Sequence, residues 1–160
     1  MNIIDNLLLR DYKKLPFAKH SIVNRSAMRK NAKEKMQQYQ VRASGKSGVD
    51  TQVRLLSGGN QQKLIIAREL TDSAKLIIAS QPTRGLDIGA TEFVRQQLIN
   101  QRNAGKAVML ISADLEEIMA LSDRIAVLFG GKIVGVLSRE EATVQKIGLL
   151  MGGISEEEEK

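Results

Sequence analysis

The feature that most constrains this chain is a change of pattern at Leu56. Beyond it, short apolar runs bounded by turn residues alternate with amphipathic stretches. Residues 74–79, 107–111 and 124–129 read as buried strands, and residues 60–70, 90–102 and 114–121 as helices. The order α-β-α-β-α-β argues for parallel strands joined by crossover helices, because a parallel pair needs a connection long enough to return to the same edge. Gly130-Gly131 then predicts a tight turn into a strand over 132–137, which makes a terminal hairpin. Ser138 with Glu141 three residues on predicts a capping box for a last helix through about Met151.

Before Leu56 the chain reads as helical: Met28, Ala32, Met36 and Tyr39 recur at helix spacing with Lys and Arg between them. A Ser, Gly and Lys stretch at 44–50 is a loop signal. The expected organisation is a helical subdomain over 1–56, a core over 57–153 and an acidic tail over 154–160.

Composition excludes several chemistries. The chain has no Cys, so disulfides and thiolate metal sites are ruled out, and its one His, His20, leaves little for an imidazole zinc site or a Ser-His-Asp triad. No apolar run approaches the roughly 20 residues that span a bilayer, and the N-terminus shows no secretory signal pattern, so a cytoplasmic location is expected. The net charge of +6 is uneven: Arg10, Lys13, Lys14, Lys19, Arg25, Arg29, Lys30, Lys33 and Lys35 crowd the first quarter. That density suggests a basic nucleic-acid-binding module as the alternative class. Against it, aromatic residues make up only 3% of the chain, too few for base-stacking platforms, and no DNA-binding motif appears. A solvated face is the simpler use of most of these cations.

The strongest chemical signal is LSGGNQQK at 56–63, directly followed by an amphipathic helix. Gly58 and Gly59 let backbone approach a ligand, Ser57 offers a hydroxyl, and the helix start presents unpaired N–H groups at its positive dipole end. Asn60 and Gln61 complete the candidate binding set. Such a site suits a terminal phosphate. A Ser N-cap followed by two loop glycines would look the same, and the sequence context decides between the two. That context is KLIIASQPTRGLD at 75–87, a strand ending in polar residues, then Pro, a turn and Asp87. Strand C-termini in α/β sheets are where ligands bind.

With both blocks in this order, the sequence resembles the ATP-binding subunits of ABC transporters over about residues 2–153. The first block looks like their signature motif and the second like their Walker B strand and D-loop. The wording of the two blocks, with LSDRIAVLFGGKIVG at 121–135, looks most like the importers of simple sugars and nucleosides. Those subunits carry two ATPase domains in one polypeptide, and this chain most resembles the C-terminal part of the second. The resemblance implies a partial P-loop NTPase core of α/β class, preceded by an all-α helical subdomain. It implies ATP as cofactor, held with magnesium mainly by a partner ATPase domain over which Ser57, Gly58 and Gly59 close. Membrane permease subunits, docked in a groove of the helical part, and indirectly a substrate-binding protein are the other implied partners. The location implied is peripheral, on the inner face of the cell membrane; no nucleic acid is expected. ABC ATPases of DNA repair share the signature but insert long coiled coils before it, for which roughly 55 residues without sustained heptads leave no room.

The departures from the family pattern are as informative. The Walker B Asp position is Ser80, the catalytic Glu position is Gln81 and the switch-histidine position is Ala113. Gln81 can hydrogen-bond a water but cannot take its proton, and losing a general base typically costs about 100-fold or more in rate. The site is therefore expected to be degenerate, and the chain alone is not expected to hydrolyse ATP. Gly45-Lys46-Ser47 imitates the end of a phosphate loop, but the first Gly of that pattern would fall at Gln40 and no apolar strand precedes it. Asp87, at the D-loop position, would lie at the dimer seam; it is equally placed to cap the next helix, and the two roles are compatible. A chain of this kind is also expected to expose apolar strand surface where further strands of the sheet belong.

Overall fold

The structure is a computed structural model that describes residues 1–19, 22–43, 48–70 and 73–154. His20, the Gly45-Lys46-Ser47 tripeptide and the acidic residues 155–160 lie outside the described residues. The elements in chain order are α1 (Ile3–Leu7), β1 (Ala18–Lys19), β2 (Ile22–Val23), α2 (Arg25–Gln38), α3 (Gly58–Glu69), β3 (Leu76–Ser80), α4 (Ile88–Asn103), β4 (Ala107–Ile111), α5 (Leu115–Leu121), β5 (Arg124–Phe129), β6 (Lys132–Ser138) and α6 (Val144–Met151), with 3-10 turns at Gly48–Asp50 and Val53–Leu55. They form two compact units: Met1–Ile77 with Pro82–Val108, and Ile78–Gln81 with Met109–Lys160.

The first unit is built around α3. Leu64, Ile66 and Ala67 of α3 are buried with Ile3, Ile4 and Leu7 of α1, Met28 and Ala32 of α2, and Val94 of α4 in one apolar cluster. Polar contacts fix the same arrangement. Lys35 at the end of α2 donates to the Ala67 carbonyl at 2.9 Å, and Arg68 donates to Asn6 Oδ1 at 3.0 Å. The N-terminus is held by Ile3 N–H on Thr51 O and Val53 N–H on Met1 O, an antiparallel bridge between Asn2 and Gln52. Within residues 1–56, helix is confined to α1, α2 and the two 3-10 turns, and Ala18 pairs with Val23 and Lys19 with Ile22 in two short antiparallel strands. Strand pairs this short carry no periodicity, which is why the sequence does not announce them.

The second unit packs Ile125, Val127 and Leu137 of the β5–β6 hairpin against Ile147 and Leu150 of α6, with Ile118 and Met119 of α5 beside them. Gly130 and Gly131 have φ of 55° and 77°, the paired positive values that a type I′ hairpin turn needs. Gly135 faces Leu150 so closely that an added Cβ would lie 2.8 Å from its Cδ1, so glycine here sets the approach of α6 to the hairpin.

Two sequence expectations are corrected. The first is sheet burial. β3 and β4 pair in parallel order, with Ala107 N–H on Lys75 O and Gln81 N–H on Ile111 O, but each forms part of a two-stranded sheet only, and β5 pairs antiparallel with β6. The continuous apolar runs predicted buried strands; instead Leu76 is 54% exposed, Ile78 62%, Met109 53% and Ile111 43%, which meets the separate expectation of exposed apolar strand surface. A two-stranded ribbon lacks the flanking strands and double covering that bury such runs in a full parallel sheet. The second is the last helix. Ser138 and Glu141 do bond reciprocally, with Ser138 N–H on Glu141 Oε2 at 2.9 Å and Glu141 N–H on Ser138 Oγ at 3.4 Å. That box closes the turn after β6, whereas α6 starts later and is capped by Thr143, whose Oγ1 accepts from Lys146 N–H at 3.1 Å. Thr143 can serve as a cap as well as Ser138, so the spacing alone does not choose between them.

Arg29 on α2 holds Asp50 in a two-pronged ion pair, at 2.6 and 2.9 Å. The Arg29 hydrogen bond draws the Asp50 pKa below its ordinary 3.8, against a smaller opposing effect of desolvation. A carboxylate with a depressed folded-state pKa contributes stability above its unfolded value, and that contribution is lost as pH falls through the folded one. Asp50→Asn is therefore expected to lower the melting temperature at pH 7. The difference from wild type should shrink below pH 3.8, read by circular dichroism melts across the acid range.

Candidate functional site

The signature residues sit at the start of α3. Ser57 is its N-cap, extended at φ −62° and ψ 157°, and Gly58 opens the helix. The first N–H groups of a helix have no intrahelical acceptor, so the backbone of Gly58 and Gly59 presents donors outward. Ser57 and Gly58 are exposed, and a Cβ built on Gly58 meets nothing within 4 Å. An approaching oxygen would therefore find an open backbone surface.

Asn60 and Gln61 have different work. Asn60 Nδ2 donates to Ser57 Oγ at 2.9 Å while its Oδ1 accepts from Arg42 N–H at 2.7 Å, so the amide bridges the cap serine to the segment after α2. Gln61 Nε2 turns back onto Leu56 O at 2.9 Å. These two side chains hold the motif's shape. The consequence for Ser57 is chemical: its oxygen already accepts from Asn60, which leaves the hydroxyl proton to be donated elsewhere. One hydroxyl donor beside two helix-start N–H groups is a set suited to a phosphate oxygen.

Asp87 comes to the same place. Its Oδ1 accepts from Ala90 N–H at 2.8 Å and caps α4, and a Cβ added at Gly59 would lie 3.3 Å from its Oδ2. The capping role is thus present, on the same side of the molecule as the signature start. Gln62, which the sequence reading did not single out, donates from Nε2 to Pro82 O at 2.8 Å and ties α3 to the turn that follows β3. The QQ pair one helical step beyond the glycines was the only available signal for it.

Ser80, Gln81 and Ala113 belong to the second unit. Ser80 ends β3 and is exposed; Gln81 follows with a φ of 48°, unusual for a residue with a side chain, and its N–H bonds Ile111 O at 2.7 Å. Ala113 is exposed just before Asp114, which caps α5 through Glu116 and Glu117 N–H. None of these three positions offers a carboxylate or an imidazole, so this strand end does not fit the family's magnesium and water-activating set. Among the described residues, no group of three or more His, Cys, Asp or Glu side chains is gathered as for a metal ion.

No family model matches the chain. Among curated proteins it is 49% identical over 154 residues to the guanosine import ATP-binding protein NupO of Bacillus subtilis (strain 168), covering 96% of this chain and 30% of that protein. It is 44% identical over 153 residues to the nucleoside import ATP-binding protein NupA of Lactococcus lactis subsp. cremoris (strain MG1363), with the same 96% and 30% coverage. The ribose import ATP-binding protein RbsA of Lacticaseibacillus paracasei is 37% identical over 141 residues, 88% of this chain and 28% of the relative. The chain thus spans about 30% of the length of the curated relatives it matches. Among solved structures, a dimeric ATP-binding cassette in a post-hydrolysis state with ADP and phosphate superposes with a TM-score of 0.67 at 26% identity, covering 87% of this chain and 57% of that one. A metal-chelate-type ABC transporter in an inward-facing conformation superposes with a TM-score of 0.71 at 18% identity over 96% of this chain and 58% of that one, a likeness of fold. With its signature helix and its strand-then-Asp turn placed as described, the chain matches, over nearly its whole length, a part of the ATP-binding proteins of ABC importers.

Proposed function

We propose that this chain is the signature-bearing, C-terminal part of a second ATPase domain in an importer of nucleosides or simple sugars. It presents Ser57, Gly58 and Gly59 to ATP held by a partner ATPase domain. The carrying observation is the start of α3: an exposed cap serine with a free hydroxyl proton, next to a glycine over which nothing lies within 4 Å. ATP, when bound by the partner, would supply the phosphate charge; the residues here bind and orient it. Phosphoryl transfer needs little covalent help from protein and much charge stabilisation by preoriented donors, which is the contribution a rigid helix start can make.

In this reading residues 1–56 form the helical subdomain that faces the membrane permease subunits, through which a substrate-binding protein is served. Residues 57–153 belong to the ATPase core, with an acidic tail beyond. The protein sits on the cytoplasmic face of the membrane through those subunits; among the described residues no helix is long and apolar enough to cross one. The chain's own half-site is inactive. Support for this is chemical: Ser80, Gln81 and Ala113 cannot bind magnesium as a carboxylate does, accept a water proton or contact a terminal phosphate as an imidazole does. Asp87, beside Gly59, would stand at the seam between the two ATPase domains.

The 160-residue chain by itself should bind Mg-ATP more weakly than the micromolar range, and calorimetry that found micromolar affinity would contradict the division of labour. In the assembled importer, Ser57→Arg places a bulky cation where the phosphate oxygen must approach and should abolish coupled ATPase activity. Gln81→Ala should change that activity less than about threefold, since no proton transfer depends on it. Equal losses in a phosphate-release assay would end the asymmetric scheme.

A further inference from the structure

The two glycines of the signature are not equivalent in their surroundings. A Cβ on Gly58 would meet nothing within 4 Å, whereas a Cβ on Gly59 would lie 3.0 Å from Ala90 Cβ and 3.3 Å from Asp87 Oδ2. Ala90 is 4% exposed and sits in the first turn of α4, and its N–H is the donor that Asp87 caps. Gly59 is therefore where the start of α3 meets the start of α4 so closely that a methyl would fit only if its neighbours gave way by a few tenths of an ångström. Four residues' chemistry meets in that contact: the missing side chain of Gly59, the methyl of Ala90, the Asp87 carboxylate and, three residues on, Gln62 bonded to Pro82 O.

We propose that Gly59 is a positioning residue: its missing side chain locks the start of α3 onto the Asp87-capped start of α4, so that Ser57 and Asp87 move as one body, while Gly58 alone keeps the face open to a ligand. The functional half of this rests on the reading above. The packing half does not. Two helix starts this close, held by a second tether at Gln62–Pro82, cannot slide past one another without opening a gap that apolar contact and a hydrogen bond both resist. A shift of the seam aspartate is then transmitted to the phosphate-facing serine.

The test sets Gly58→Ala, Gly59→Ala, Ala90→Gly and the double Gly59→Ala/Ala90→Gly side by side in the 160-residue chain. At Gly58 an alanine gains helix propensity at no steric cost and should raise the melting temperature by about 1–4 °C. At Gly59 the same change overpacks and should lower it by about 3–8 °C. Ala90→Gly on top removes the opposing methyl and should restore more than half of that loss. Equal signs for the two glycine variants, or a double variant no better than Gly59→Ala, overturns the lock. In the assembled importer, Gly59→Ala should slow ATP hydrolysis about tenfold, because a displaced donor mispositions the phosphate, and Ala90→Gly should return the rate to within about threefold. Melting restored without the rate overturns the positioning role. If the melting results hold while Gly58→Ala and Gly59→Ala both leave hydrolysis untouched, the nucleotide-clamp reading fails and the lock survives it.

Discussion

Everything the first unit does hangs on the burial of α3. One helix of 12 residues gives Leu64, Ile66 and Ala67 to the core and leaves its N-terminal turn on the surface. The two ends answer different demands. Apolar area removed from water, at about 25 cal/mol per Å2, holds the middle of the helix against α1, α2 and α4. The first turn adds the close contact of Gly59 with Ala90 and is otherwise shaped by hydrogen bonds through Ser57, Asn60 and Gln61. A recognition surface on the end of a buried helix is rigid because its register is set elsewhere. A loop with the same residues would have to order them on binding, at a cost of about 1–2 kcal/mol for each backbone residue.

Much of this was legible before any coordinates. Strands β4 and β5 lie where their apolar runs begin and end, and α4 starts directly after the Asp that was read as its cap. Such elements are set by local pattern and one capping residue, so a window of a dozen residues contains what decides them. The hairpin turn was legible for the same reason, since two adjacent glycines satisfy a backbone geometry that few other residues reach.

What the pattern hid is equally consistent. The exposure of Leu76, Ile78, Met109 and Ile111 depends on which other strands lie alongside, and hydrophobicity along one segment carries no record of its neighbours. The start of α6 was misplaced because Ser138 and Thr143 both offer a capping oxygen, and only the turn after β6 decides which one is followed by helix. Asn60 bonds Ser57 and Arg42, the latter 18 residues earlier in the chain, a pairing that the local pattern does not announce. A side chain's type gives its hydrogen-bonding capacity; which groups use that capacity is decided by packing at long range.

The same distinction bears on the end of β3. Ser80 and Gln81 offer no carboxylate at the end of β3, and the strand end is held by its backbone, with Gln81 N–H bonded to Ile111 O at 2.7 Å. Gln81 adopts a φ of 48°, a conformation that costs a non-glycine residue free energy and persists only where surrounding contacts hold it. The backbone at the end of β3 is thus held by the strand pairing itself, whatever side chain Gln81 carries. The turn after β3 has a structural duty as well: the hydrogen bond of Gln62 to Pro82 O fastens that turn to α3. The tether enters α3 near its start, five residues after the cap serine, so it fixes the same end of the helix that Ser57 opens. The side chain at position 81 can vary without disturbing that anchor, because the anchor uses the Pro82 backbone carbonyl.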